Sequence, residues 1–451
     1  MTRRFDLPVV GPATPVRFPP IGTAELDSGV RVWTIARASA PVVAAVLVVD
    51  RGSAFDPIDR PGLAGLTADL MDEGAGDRDA IELADAFARM GTYLEIEVGP
   101  DVTTFGLTTP ARHFPDSLSL LADVVIRPRL EEADFQRVRE LRLNRLRQLS
   151  RSPSSAADRA FLEAVFSTHP YGHGTLGTTP SLEAITAAHA REFWQNGMTP
   201  ARSTLVLCGQ IEHGAAVAAA GAIFGPWDAP GDRVAAPPVS GAHADRRVLF
   251  VDRPGASQSE LRVGHGGPPR KAPHYHALVT LNAILGGQFA SRINRNLREV
   301  RGVTYGARTA FEFRRAGGSF SCETSVQSDA TTESVSEILR EFEGVRVESA
   351  LLPVELERAR SSLTRGYVRN FETAMQLAGA AAQLVTHEIG PDSYDEFVPE
   401  VAAVTEADVV AAARAYVRPD DCAVVVVGDA DRCLPSLESL GRPVVTVAPE
   451  F

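Results

Sequence analysis

The side chains of this chain that could hold a metal are its histidines, and their spacing works against it. His169 and His173 lie four apart, the separation that sets two imidazoles on one helical face for zinc. Pro170 and Gly172 interrupt the stretch, so both histidines read as structural loop residues. His274 and His276 precede an apolar run and flank its N-terminus, with no third ligand in sight. His387 and Glu388 read as a solvated helix end. The four cysteines (Cys208, Cys322, Cys422, Cys433) form no C-x-x-C pair and read as buried free thiols. What remains is the stretch from 285 to 305, LGGQFASRINRNLREVRGVTY, with arginines at 292, 295, 298 and 301. By periodicity alone they form a solvated basic face, or cations placed well against the dipole of a helix end.

That stretch must be a glycine turn, a helix and the start of a strand. Gly286 and Gly287 permit backbone angles closed to other residues. Phe289, Ile293, Leu297 and Val300 recur at helical spacing and make one apolar stripe, with the arginines off it. Gly302 suits the left-handed residue past a helix end, and Val303-Thr304-Tyr305 is β-prone. Upstream, residues 1–20 look like an extended, proline-rich arm. Strands are expected around Val30–Ile35 and Val42–Val49, then helices over Gly62–Met71 and Ala80–Met90. Leu94, Ile96 and Val98 alternate with Glu95 and Glu97, a half-buried strand. Helices follow near Pro115–Val125, Glu132–Leu149, Ala156–Phe166 and Ser181–Trp194, and then a strand at Thr204–Cys208.

The unit is used twice. PARSTLVLCG at 200–209 and PDDCAVVVVG at 419–428 both set proline and glycine nine positions apart around a buried strand, at an offset of 219 residues. The same offset lays the strand, polar loop and helix of 45–71 over 262–286, and sets Leu94–Val98 against Phe320–Val326. Similarity at a fixed offset implies a duplicated structural unit. GPWDAPGDRVAAPPVSGAHADRR between the copies is a linker by composition. The expectation is an α+β chain with two homologous domains, 1–225 and 246–451, joined by a Pro/Gly/Ala-rich linker at 226–245. Each would be a largely antiparallel sheet covered by helices, because strands and long helices do not strictly alternate.

At 451 residues, 44% apolar and 23% charged, the chain is globular and long enough for more than one core. A net charge of −12 argues against a nucleic-acid partner, which needs concentrated Lys and Arg. No apolar run approaches the length of a membrane span. The opening MTRRFDLPVVGPATPVRFPP, with a broken apolar segment and repeated prolines, does not read as a signal peptide. A cytoplasmic location is expected, with a periplasmic one as the alternative.

Four stretches in order on this duplicated frame resemble one family: GLAGLTADLMDEGAG (62–76), HPYGHGTLGT (169–178), VDRPGASQSELRVG (251–264) and LGGQFASRINRNLREVRGVTYGA (285–307). The chain is similar, from about residue 22 onward, to the insulinase/pitrilysin-like zinc metallopeptidases, the inverted zincins, in the processing-peptidase-like bacterial branch. The family's motif is H-x-x-E-H on the first long helix, two histidines holding zinc and a glutamate activating water. On the matching helix Gly65 stands for the first histidine, Ala68 for the glutamate and Asp69 for the second histidine. The third ligand, a glutamate about 75 residues on in the family pattern, should fall near Asn144 or Arg145, where no carboxylate stands. No H-x-x-E-H or H-x-x-x-E-H occurs elsewhere. Leu63, Leu66 and Leu70 keep the helix packed, and the chain itself is expected to hold no metal or other cofactor.

The second half fits the resemblance differently. Family members carry an arginine and, seven residues on, a tyrosine in the last of four homologous domains enclosing the substrate chamber. Arg298 and Tyr305 match that pair. The resemblance implies that the guanidinium holds a substrate carbonyl and the phenol donates to the oxyanion of the tetrahedral intermediate. It therefore points to a non-catalytic, zinc-less subunit of a heterodimeric metallopeptidase. The partner would be a homologous H-x-x-E-H-bearing peptidase subunit that binds the zinc, and the two would close around an unfolded peptide. The rivals are a structural or peptide-binding homologue with no role in proteolysis, like the respiratory-complex core proteins, and a self-sufficient protease with unorthodox ligands around Asp69.

Overall fold

The strand Val42–Val49, VVAAVLVV, is apolar at every position because it is covered on both faces, and so is Ala423–Gly428, AVVVVG, in the second sheet. The computed structural model describes residues 11, 15–231, 246–347 and 351–451. Most of the linker expected at 226–245, and most of the arm's first fourteen residues, lie outside them. Six strands form the first sheet: β1 (Gly22–Glu25), β2 (Arg31–Ala36), β3 (Val42–Val49), β4 (Glu95–Val98), β5 (Thr103–Pro110) and β6 (Ser203–Gly209). Six more form the second: β7 (Val248–Asp252), β8 (Gln258–Gly267), β9 (Thr304–Phe313), β10 (Gly318–Gln327), β11 (Ala423–Gly428) and β12 (Val444–Thr446). Their orders are β1-β2-β6-β3-β5-β4 and β9-β10-β8-β11-β7-β12. Reversing the second order lays β7, β11, β8, β10 and β9 on β2, β6, β3, β5 and β4. Each sheet is mostly antiparallel; the parallel pairs are β2/β6, β7/β11 and β7/β12. The fold is α+β, as the sequence indicates.

Five readings change. The helix expected over Ser181–Trp194 is two, Thr179–Ala184 and Ala187–Gly197, because Thr186 leaves the first and caps the second through the His189 amide. Strand β5 escapes a hydropathy reading, since only Phe105 and Leu107 mark its buried face beside Thr103 and Thr109. With β5 in place, the counterpart of the 94–98 strand is β9, and the segment 320–326 belongs to β10, the counterpart of β5. Gly286 and Gly287 do not have positive φ. They are needed for space, because a Cβ there would meet Thr309 N at 2.7 Å or Asn282 O at 2.9 Å. The apolar stripe is also shorter than its spacing suggests. Ile293 and Leu297 are buried, while Phe289 and Val300 are exposed.

The two halves exchange covering helices. Val43, Ala45, Leu47 and Val49 face the first half's own helices, including α1 (Leu63–Met71) and α2 (Glu132–Leu149). Ala44, Val46 and Val48 face α3 (Ala374–His387), which comes from the second half. Conversely Leu249, Val251, Val425 and Val427 are covered by Pro153–Phe166 of the first half. These two helices occupy equivalent places in the repeat, so each half completes the other's core. Val16 and Phe18 of the N-terminal arm join the exchange, with Phe18 packed on Phe371 and Tyr394.

The turn between β9 and β10 pins this exchange. Arg315 binds Asp50 at 2.6 Å and the carbonyl of Thr386, and its amide donates to Asp101 at 3.1 Å. Tyr171 donates to the same Asp101 and accepts from the amide of Ala316 at 3.2 Å. Arg314 lies over the rings of Phe166 and Tyr171. Among the described residues no helix is long and apolar enough to cross a membrane. Removing Arg315 strands a nearly buried Asp50, which keeps a looser contact with Arg31 at 3.6 Å. Arg315→Ala should therefore lower the unfolding free energy by roughly 3 kcal/mol. A loss under about 1 kcal/mol in chemical denaturation, the size of an exposed pair, would mean the turn does not bind the halves.

Candidate functional site

Helix α1 is held by its leucines, with Leu63, Leu66 and Leu70 all buried. Its N-terminus is tied down by Asp56, whose carboxylate accepts from the amides of Gly62 and Ala64 at 2.7 Å each. Burial pushes the Asp56 carboxyl up to about 7, and the two amide bonds pull it the other way. On the face where the family's motif would stand, Gly65 and Ala68 are buried and bring no donor atom, and Asp69 is half-exposed. Asp69 is paired instead with Arg142 of α2, a buried arginine whose guanidinium also donates to the carbonyl of Thr175 at 2.5 Å. Arg145, on the same helix, is exposed to solvent and takes no part. The residue that faces α1 is therefore Arg142, one turn earlier than the spacing suggested.

This arrangement does not fit a zinc ion. Its single carboxylate is already neutralised by a guanidinium, and a catalytic zinc needs three protein ligands and an open position. The space has closed as well. A Cβ on Gly65 would lie 2.3 Å from Thr175 O and 2.5 Å from Arg142 Nη2. Among the described residues no group of three or more His, Cys, Asp or Glu could hold a metal ion. The histidines that the sequence singled out are engaged or enclosed. His169 Nδ1 accepts from the Tyr171 amide at 3.1 Å. His173 Nδ1 lies 3.4 Å from the Gly174 carbonyl. His274 stands at the N-cap position of the helix Tyr275–Leu285 without a side-chain capping bond, its ring against Tyr416, and His276 packs between Tyr275 and Phe397. His387 is not a solvated end: burial pushes its pKa down to about 4, and its Nδ1 has no partner. All four cysteines are buried and free.

In the second half, Arg292–Asn294 begins an α-helix that widens into a π-helix over Arg295–Val300. The wider turn moves Val300 off the buried face that Ile293 and Leu297 occupy, and π segments recur at functional sites. The chain then reverses at Gly302, φ +67°, in the left-handed conformation its position called for. Strand β9 starts at once but slips register between Thr304 and Ala307, so Tyr305 and Gly306 stand out of the ladder. Tyr305 is 90% exposed, which excludes a core role for its ring. Asn294 holds the bulge. It donates to Ala307 O at 2.7 Å and accepts from Ala307 N at 2.9 Å, doing with a side chain what a neighbouring strand would do. Asn294 was not singled out from sequence; an asparagine on the buried side of an apolar stripe was its only signal.

The four arginines are not one solvated face. Arg292 is paired with Glu355, and Arg301 with Glu333 and Glu337. Arg298 lies over the Phe289 ring at 4.0 Å and has no hydrogen-bond or ion-pair partner among the described residues. The Tyr305 hydroxyl has none either. Both line one open cleft of about 530 Å³, floored by Gly286, Gly287 and Gly306. Arg262 and Glu323 line this cleft and an adjoining one of about 410 Å³ that reaches Leu176, next to the Thr175 bound by Arg142. Arg262 is itself fixed by Asp158 at 2.6 Å and Ser154 at 2.7 Å, from the helix lent by the first half. A continuous wall thus runs from Arg298 and Tyr305 to the back of the closed α1 site. It offers two unoccupied donors, a cation and a hydroxyl, to a carbonyl or an oxyanion.

Because α1 has closed, restoring one histidine should not restore a metal site. Gly65→His is expected to lower the melting temperature by several degrees, corresponding to about 2 kcal/mol of overpacking, and to leave zinc content unchanged. A stable Gly65→His variant carrying one zinc per chain would show that the Thr175 loop yields readily.

Residues 31–179 match the family described as "Insulinase (Peptidase family M16)", and residues 184–363 match "Peptidase M16 inactive domain". An uncharacterized zinc protease of Mycobacterium bovis is 25% identical over 413 residues, 90% of this chain and 93% of that protein. A solved structure titled as a peptidase M16 inactive domain from Pseudomonas fluorescens superposes with a TM-score of 0.85 at 21% identity, over 91% of this chain and 98% of that one. A protease from Helicobacter pylori gives the same TM-score at 17% identity, over 91% of this chain and 100% of that one. The consecutive family matches, the repeated sheets and the altered α1 helix together make the chain a member of the insulinase-like (peptidase M16) family that lacks the zinc motif.

Proposed function

We propose that the chain is the non-catalytic subunit of a heterodimeric zinc metallopeptidase. The observation that carries this reading is the Arg298/Tyr305 cleft, where a guanidinium and a phenol face open space with no hydrogen-bond or ion-pair partner among the described residues. Unsatisfied donors held by a bulge, a π turn and a buried asparagine suit a ligand better than they suit the fold. Arg298 binds a backbone carbonyl of an extended peptide. Tyr305 donates a hydrogen bond to the oxygen that gains charge as the scissile carbonyl is attacked. The metal and the base belong to a homologous partner carrying H-x-x-E-H, because Gly65, Ala68, Asp69 and Arg142 supply neither. A second reading, a scaffold or peptide-binding homologue without proteolysis, is favoured by the Asp69–Arg142 pair, which stabilises α1 without reference to any partner.

The two readings separate in steady-state cleavage of a fluorogenic peptide by the reconstituted pair. Tyr305→Phe removes one exposed hydroxyl and no packing, and should lower turnover by on the order of a hundredfold. Arg298→Ala should also raise KM, since it removes contacts made before the transition state. Assembly by light scattering and the metal content of the complex should not change. Full activity of Tyr305→Phe in an assembled complex would favour the scaffold.

A further inference from the structure

A second pocket lies away from that cleft and shares no lining residue with it. It has a volume of about 410 Å³ and is enclosed by the start of the helix Tyr275–Leu285, the turn after the helix Pro353–Arg365, and the first turn of the helix Ser393–Ala403. Arg270 is the one charged residue lining it, and no carboxylate shares the wall. The guanidinium lies over the Tyr275 ring, 3.4 Å from its centroid, and among the described residues it has no hydrogen-bond or ion-pair partner. Stacking leaves the N–H edges of the fork free, which is the part that grips an anion.

The remaining polar groups point to the same ligand chemistry. The hydroxyls of Tyr275 and Tyr367 have no hydrogen-bond partner among the described residues. Ser393 Oγ is buried without one. Tyr394, by contrast, is committed, donating to Ala380 O at 2.8 Å. Three hydroxyls able to donate thus stand with one cation and no opposing charge. The rest of the wall is apolar or aromatic: Tyr367 is stacked on Phe397 at 4.3 Å, and Val279 and Leu363 close the side. The volume is that of a small-molecule site. Arg270 is half-buried, so its free fork stays reachable, and an anion would meet it without a competing carboxylate on the wall.

We propose that this pocket binds a small organic monocarboxylate, its carboxylate on the Arg270 fork and the phenol hydroxyls, its apolar body against Tyr367, Phe397 and Val279. The test uses phenylacetate as the probe, with 2-phenylacetamide and inorganic phosphate beside it, on the full chain by calorimetry and thermal shift. Phenylacetate should bind saturably and raise the melting temperature, and the amide should bind roughly tenfold more weakly or worse. Arg270→Gln should weaken phenylacetate binding by at least a similar factor. Its unliganded melting temperature should move little, because the guanidinium has no hydrogen bond or ion pair to lose, only its stacking on the Tyr275 ring. Tyr367→Phe, which keeps the stack on Phe397, should weaken binding several-fold. Equal binding of acid and amide, or unchanged binding in Arg270→Gln, overturns the role of Arg270. Phosphate binding as tightly as phenylacetate overturns the organic-acid reading, and no binding of phenylacetate overturns the site.

Discussion

The constraint on which the molecule rests is that the central strands of each sheet are buried on both faces while each half lacks one of the helices needed to cover its own sheet. An exposed face carrying Ala44, Val46, Val48, Val206 and Cys208 would leave a large apolar surface in water. The second half supplies the cover with Ala374–His387, and the first half returns it with Pro153–Phe166 over Leu249, Val251, Val425 and Val427. The polar turn at Arg314–Ala316 then fixes the relative position of the halves with directional bonds that apolar packing alone does not supply. Every cleft along the inner wall inherits its shape from that junction, including the Arg262 contact to Asp158 and Ser154.

The closed site on α1 shows how a fold outlives a lost metal site. A metal cross-links helices by gathering donors around a positive charge. Here Arg142 brings the positive charge from within the chain, bonding Asp69 on one helix and the Thr175 carbonyl in the following loop. Glycine at position 65 is what allows this approach, because any side chain would occupy the place of the guanidinium and of Thr175 O. The substitutions therefore form a set: a small residue, a carboxylate and an arginine that satisfy one another.

The Arg298/Tyr305 cleft is built on the opposite principle. Local irregularities that would destabilise a regular element are each matched to a specific bond. The π turn keeps Leu297 buried while Arg298 reaches the cleft, and the bulge frees Tyr305 from the ladder. Asn294 satisfies the Ala307 amide and carbonyl that the bulge leaves unpaired. Backbone groups buried by such a break need partners, which is why a side chain with both a donor and an acceptor stands at 294.

The sequence by itself determined the repeat, the α+β class, most strands and helices, and the loss of the metal ligands at 65, 68 and 69. Those properties depend on residue identity and on hydropathy over a few neighbouring positions, and both are written along one dimension. Even the turn at Gly302 was legible, since a left-handed residue after a helix favours glycine. Strand β5 was not, because threonine and glycine dilute its alternation, nor was the break at Thr186, which a capping box decides. Only the tertiary structure decided which helix covers which sheet, since equivalent apolar stripes in a repeat carry no label of their partner. It also decided that Arg142 and not Arg145 meets Asp69, that Arg292 and Arg301 are paired while Arg298 is not, and that Asn294 closes the bulge. Each of these depends on the direction of a side chain relative to elements distant in sequence, and a helical register or a single π turn is enough to change that direction.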